Sequence, residues 1–131
     1  MATIRKEITV ERGPEHCWDA LRDVGALHTR LVPGFVSDTR LEEGARIVTF
    51  GNGMVAKELI VDVEDESRRV AWSVVGPPFV HHNASVQVFD EGGGRSRLVW
   101  IADLLPSEIA GTIRAMIEQA MGVMKSTLER R

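Results

Sequence analysis

No tyrosine occurs among the 131 residues, and Cys17 is the single cysteine. The first absence removes the phenol that can serve as donor or acid in a pocket. The second rules out an internal disulfide and fits a reducing compartment. No apolar run approaches the roughly 20 residues that span a bilayer. The opening MATIRKEITV is charged and has no apolar core of a secretory signal. A soluble, cytoplasmic protein with no membrane span is therefore expected. Charge of neither sign dominates: the formal net charge is −3, which gives no basis for a nucleic-acid or anionic-membrane partner. No repeat, linker or low-complexity tract divides the chain, and its length suits one domain covering 1–131. A domain of this size buries roughly two-thirds of its unfolded surface, enough for a core with a cavity beside it.

What is present reads as an α+β order. Ile4, Lys6, Ile8 and Val10 alternate with Thr3, Arg5, Glu7, Thr9 and Glu11, the pattern of a half-buried strand. Gly13-Pro14 stops it and opens a helix carrying Cys17, Trp18, Leu21 and Val24. A second short helix is predicted near Ala26–Leu31, ended by Pro33-Gly34. Six strands follow, from Phe35 to the segment SRLVWIADLL, with Asn52-Gly53 and Gly92-Gly93-Gly94 as hairpin turns. Pro106-Ser107-Glu108 then starts a long helix whose Ile109, Ile113, Met116, Ile117, Ala120, Met124 and Leu128 share one face. Such a helix buries its stripe against the concave face of a curved antiparallel sheet. If the short helices hold that sheet open, a cavity remains.

The stretches GPEHCWDALRD, ARIVTFGNGMVAKELIVDVEDESRRVAWSV and SRLVWIADLLP, in this order, resemble the SRPBCC superfamily. These are the START-like and birch-pollen-allergen-like helix-grip proteins, and the polyketide cyclase/dehydrase-like branch is the most similar. Arg46, Gly53, Glu58, Asp65, Arg69, Trp100 and Pro106 fall where that branch has such residues, and Trp72 stands where an aromatic is usual. The resemblance implies a single START-like domain with a seven-stranded antiparallel sheet, two short helices after strand 1 and a long C-terminal helix. It also implies an internal pocket for a small hydrophobic or amphipathic molecule. It does not imply one activity.

Turn lengths set the expected register and hence the inner face. A two-residue Asn52-Gly53 loop puts Phe50 opposite Val55, Val48 opposite Lys57 and Arg46 opposite Leu59. A four-residue Asp65–Arg68 loop puts Val63 opposite Val70, Val61 opposite Trp72 and Leu59 opposite Val74. The next two turns put Trp72 opposite His82, Val86 opposite Trp100 and His82 opposite Leu104. His82 is then inside and its neighbour His81 outside, because adjacent strand residues face opposite ways. The expected ligand-binding set is Arg46, Phe50, Lys57, Leu59, Trp72, His82 and Trp100 on the sheet, with Ile113, Met116 and Ile117 on the helix. The cations either carry their heads to solvent along apolar stems or meet a polar or anionic ligand group. Arg46 has no expected carboxylate beside it, because Glu58, Asp62 and Glu64 point outward in this register. A bulge in that strand would turn Glu58 inward, where it would be placed as a base.

No metal, cofactor or catalytic residue is assigned. His81 and His82 diverge, and zinc needs three or four convergent ligands. Cys17 shares an apolar helix face, the setting of a buried structural thiol. Carrier or sensor of an apolar ligand is the leading function, and a cyclase/dehydrase-type enzyme the alternative. Ile47, Ile60, Val75, Val99 and Ile101 fall on the outer face, an apolar patch that suggests a partner or a homodimer.

Overall fold

The computed structural model describes residues 2–130. The alternating N-terminal segment forms β1 (Ala2–Val10), and Pro14 opens α1 (Pro14–Leu21) at its first turn. A π-helical turn, Leu27–Leu31, takes the place of the second short helix. Strands β2 (Val36–Glu42), β3 (Ala45–Phe50), β4 (Val55–Glu64), β5 (Arg69–Val75), β6 (His81–Gly92) and β7 (Arg95–Leu105) follow as a meander. A 3-10 turn, Ser107–Ile109, leads into α2 (Ala110–Leu128). The strands make one antiparallel sheet in the order β1-β7-β6-β5-β4-β3-β2. A seven-stranded curved sheet holding a long C-terminal helix is the helix-grip fold.

The apolar stripe of α2 explains where that helix lies. Ile117, Ala120, Met121, Met124 and Leu128 are buried, while Ile113 and Met116 nearer its start are half-buried. The helix runs along β1 and against the π-helical turn. Lys6 of β1 faces it and pairs with Glu118 at 2.8 Å. Its C-terminal end is held at the other edge of the core, where Arg12 Nη1 donates to the carbonyl of Arg130 at 2.7 Å. Among the described residues, no helix is long and apolar enough to cross a membrane.

The β6–β7 hairpin has the expected register, with Val88 opposite Leu98, Val86 opposite Trp100 and His82 opposite Leu104. The β5–β6 pairing is displaced by two residues, with Trp72 opposite Ala84 rather than His82. An even displacement leaves every side chain on its expected face.

Strand β4 departs by one residue, and that reverses its face. The β3–β4 turn closes at Phe50 and Met54, whose N–H and carbonyl bond at 2.8 Å, so Gly51, Asn52 and Gly53 all lie in the loop. Gly51 is drawn out of the strand because its N–H donates to the carbonyl of Phe35 at 2.9 Å. A Cβ on Gly51 would lie 2.2 Å from the carbonyl oxygen of Gly34, so the close approach requires glycine. Arg46 therefore pairs with Glu58, and Leu59 with Ala45. A bulge between Ile60 and Asp62 then restores the expected pairing of Val63 with Val70. Two expected inner-face residues are corrected by this shift. Lys57 is on the outer face, exposed, with Glu42 as its carboxylate neighbour at 3.9 Å. Leu59 is also outside and 40% exposed. Ile60, expected outside, pairs with the inward Trp72, and Val61 is exposed on the outer face.

Candidate functional site

The inner face carries a band of polar and aromatic side chains that crosses the sheet. It starts at Thr39 on β2, passes Arg46 on β3 and Glu58 on β4, and reaches Trp72 on β5 and Trp100 on β7. Arg46 and Glu58 are both buried, at 3% and 7% exposure. The Nε of Arg46 donates to Glu58 Oε1 at 2.8 Å, and its Nη1 donates to the carbonyl of Val24 at 3.3 Å. The same guanidinium lies 5.2 Å from the centroid of the Trp72 ring, a cation–π distance. Trp72 meets Trp100 edge to face with centroids 5.4 Å apart, one of the arrangements favoured by the aromatic quadrupole. The charge of Arg46 is thus offset by Glu58, with Nε and Nη1 both donating to protein acceptors.

This arrangement overturns the expectation that Arg46 lacks a carboxylate. The one-residue shift of β4 delivers Glu58 to it. A signal for Glu58 did exist in the sequence: an arginine on an inner face demands a counter-charge, since an unpaired buried ion is costly.

Two polar atoms beside this band have no partner among the described residues. The Nε1 of Trp100 and the Nδ1 of His82 are buried and make no hydrogen bond. Indole N–H is a donor only. The His82 ring lies tilted against Phe79 of the β5–β6 loop, with ring centroids 4.6 Å apart and 60° between the planes. Burial, with a smaller contribution from His81, pushes the His82 imidazole down to about 4, so it is neutral near pH 7. Its neighbour His81 is on the opposite face, half-buried beside Leu105. Thr39 Oγ1 and His28 Nδ1 are likewise buried without a partner, on β2 and the π-helical turn that packs on it. Neither was among the expected site residues, and no pattern in the sequence singles them out.

The remaining expected residues are placed as follows. Phe50 is inward and half-buried, edge to face with Phe35 at 5.7 Å. Ile113 and Ile117 pack with the core, and Met116 is half-buried beside them on α2. Lys57 and Leu59 are not part of the assembly. Ile60, Val74 and Ile109 share the half-burial of Ile113 at the apolar margin of the core.

The comparisons with known proteins accord with this geometry. A family model described as polyketide cyclase/dehydrase and lipid transport matches residues 1–130. No curated protein matches the chain in sequence. Among solved structures, an uncharacterised protein from Bacillus thuringiensis superposes with a TM-score of 0.87 at 14% identity, over 97% of this chain and 98% of that one. A START superfamily protein from Mycobacterium smegmatis gives 0.72 at 11% identity, over 97% and 94%. The Zhui aromatase/cyclase from a Streptomyces species gives 0.71 at 15% identity, over 97% and 90%. At these identities the structures share the fold alone, but the family match spans nearly the whole sequence. The chain belongs to the polyketide cyclase/dehydrase and lipid-transport family.

Proposed function

We propose that residues 1–131 form one ligand-binding domain that holds a small, largely apolar, uncharged molecule between the sheet and α2. The molecule is lipid- or polyketide-like and carries at least one oxygen acceptor, and the protein acts as its carrier or sensor. Trp100 Nε1 carries this reading: it is a buried donor on the inner face with no acceptor among the described residues. Leaving such a group unsatisfied costs about 1–3 kcal/mol, which a ligand oxygen would recover. His82 Nδ1 offers a second polar contact, and Trp72, Phe50, Ile113, Met116 and Ile117 supply apolar surface. The closed Arg46–Glu58 pair argues for a neutral ligand over an acid, since an anion would have to compete with Glu58. Another copy of the chain is a second partner, meeting the outer face of the sheet.

A cyclase/dehydrase-type enzyme is the second reading, favoured by the entry of the Glu58 carboxylate onto the inner face. Against it, Glu58 Oε1 is taken by Arg46, and a histidine titrating near 4 is a weak base at neutral pH.

The test is calorimetric titration with anthrone and with anthracene, two rigid ring systems that differ in one carbonyl. Native protein should bind anthrone more tightly, and Trp100→Phe should erase the difference while retaining the binding of anthracene. Equal binding of both by native protein removes the acceptor from the reading, and binding of neither removes the interior site. Native mass spectrometry of protein purified from its own host identifies a retained molecule directly.

A further inference from the structure

The outer face of the sheet holds a trough of about 630 Å³, lined chiefly by outward-facing residues. One row of residues crosses its floor in register. Asp62 pairs with Ala71, Ala71 with Ser85, Ser85 with Ile101 and Ile101 with Arg5. The row is acidic at one end and basic at the other, with Ala71 and Ile101 between them flanking a small hydroxyl residue, Ser85, at the centre. Ile101 is 38% exposed, and Val61, pushed out by the bulge, is 63% exposed. Asp62 has no ion pair among the described residues, and Arg5 has only an exposed one with Glu7 at 3.0 Å.

We propose that this face is a homodimer interface. Turn a second copy about a two-fold axis that runs parallel to β6 and passes beneath Ser85, midway between the two sheets. Asp62 then meets Arg5 of the other copy at both ends, Ala71 meets Ile101, and Ser85 meets Ser85. Such an isologous contact is self-complementary, and two sheets packed face to face are about 10 Å apart, a gap that Arg5 and Asp62 can bridge. The trough admits the protruding Val61 of the facing copy. The exposed Arg5–Glu7 pair is worth little, so Arg5 can exchange its partner. The adjacent row brings Glu64 toward Glu7, and each acid has an arginine close by: Arg69 is the strand partner of Glu64, and Arg97 lies 3.4 Å from Glu7. A patch of net acid or base would favour an unlike partner; a row with opposite charges at its two ends favours its own copy.

Sedimentation equilibrium of the full chain tests this. Native protein should be dimeric, Asp62→Arg and Arg5→Asp should each be monomeric, and the two together should restore the dimer. A short bis-maleimide provides an independent measurement, because Cys17 is buried. Ser85→Cys, facing the axis, should cross-link into dimers, whereas Ser37→Cys, on edge strand β2, should not. A monomeric native protein overturns the proposal. So does a dimer that survives both single reversals, or a double reversal that stays monomeric while each variant retains the native far-ultraviolet spectrum.

Discussion

Replacing Glu58 by glutamine tests the inner ion pair directly. The substitution keeps the shape and an amide oxygen that can still accept from Arg46 Nε, but removes the negative charge that offsets the guanidinium. The two side chains are 4% and 10% exposed, so solvent cannot take over from the carboxylate. Breaking a buried pair by removing one partner costs about 3–5 kcal/mol, because the other charge stays buried and uncompensated. At roughly 4 °C per kcal/mol for a domain of this size, the melting temperature should fall by roughly 10–20 °C. Arg46→Met should cost a similar amount, since it strands Glu58. Replacing both at once, Arg46→Met with Glu58→Leu, strands neither and should recover most of the native stability or exceed it. Urea unfolding of native protein, Arg46→Met, Glu58→Leu and the double variant gives the coupling energy, expected at about 3 kcal/mol or more. A loss below about 1 kcal/mol for Glu58→Gln, or additive costs in the double variant, would mean that the pair is solvated. Arg46 would then be available to an anionic ligand after all.

His82→Ala should weaken binding of an oxygen-bearing apolar ligand such as anthrone, while His81→Ala should not; equal effects in a fluorescence titration would refute the separation of the two faces. Acid should destabilise the protein through His82. Its folded value of about 4 lies below the ordinary 6.5 or so of the unfolded chain, so the unfolded state takes up the proton first. This contribution to stability is complete above about pH 6.5, declines as the pH falls toward 4 and is then constant, a loss of at most about 3 kcal/mol. Urea unfolding at pH 7 and pH 4.5 should show a smaller difference for His82→Gln than for native protein, and an unchanged difference would exclude His82 as the cause. Replacing Gly51 by alanine should destabilise the β3–β4 turn because its Cβ would meet the Gly34 carbonyl oxygen. A melting temperature equal to that of native protein would show that the segment yields without cost.

The amino-acid sequence by itself determined those parts of the fold in which local pattern and turn length agree. The single-faced stripe of α2 and the alternation through Val86 and Val88 require one buried face each, and they place His82 inside and His81 outside. The β6–β7 register follows from the same alternation. Strand β4 was not legible, because VAKELIVDVE offers two phases. Val55, Lys57, Leu59, Val61 and Val63 form the more apolar set, yet from Ala56 to Ile60 the other set is inside. The strand obeys the apolar phase only after its bulge, where Val63 meets Val70. What decided the phase is not within the strand. The N–H of Gly51 bonds to Phe35, a contact between segments 16 residues apart, and lengthens the turn by one residue. Because side chains alternate with period two, that one residue turns Glu58 toward Arg46 and sends Lys57 and Leu59 to the outer face. The tertiary structure thus made the buried pair, and with it the charge balance of the site.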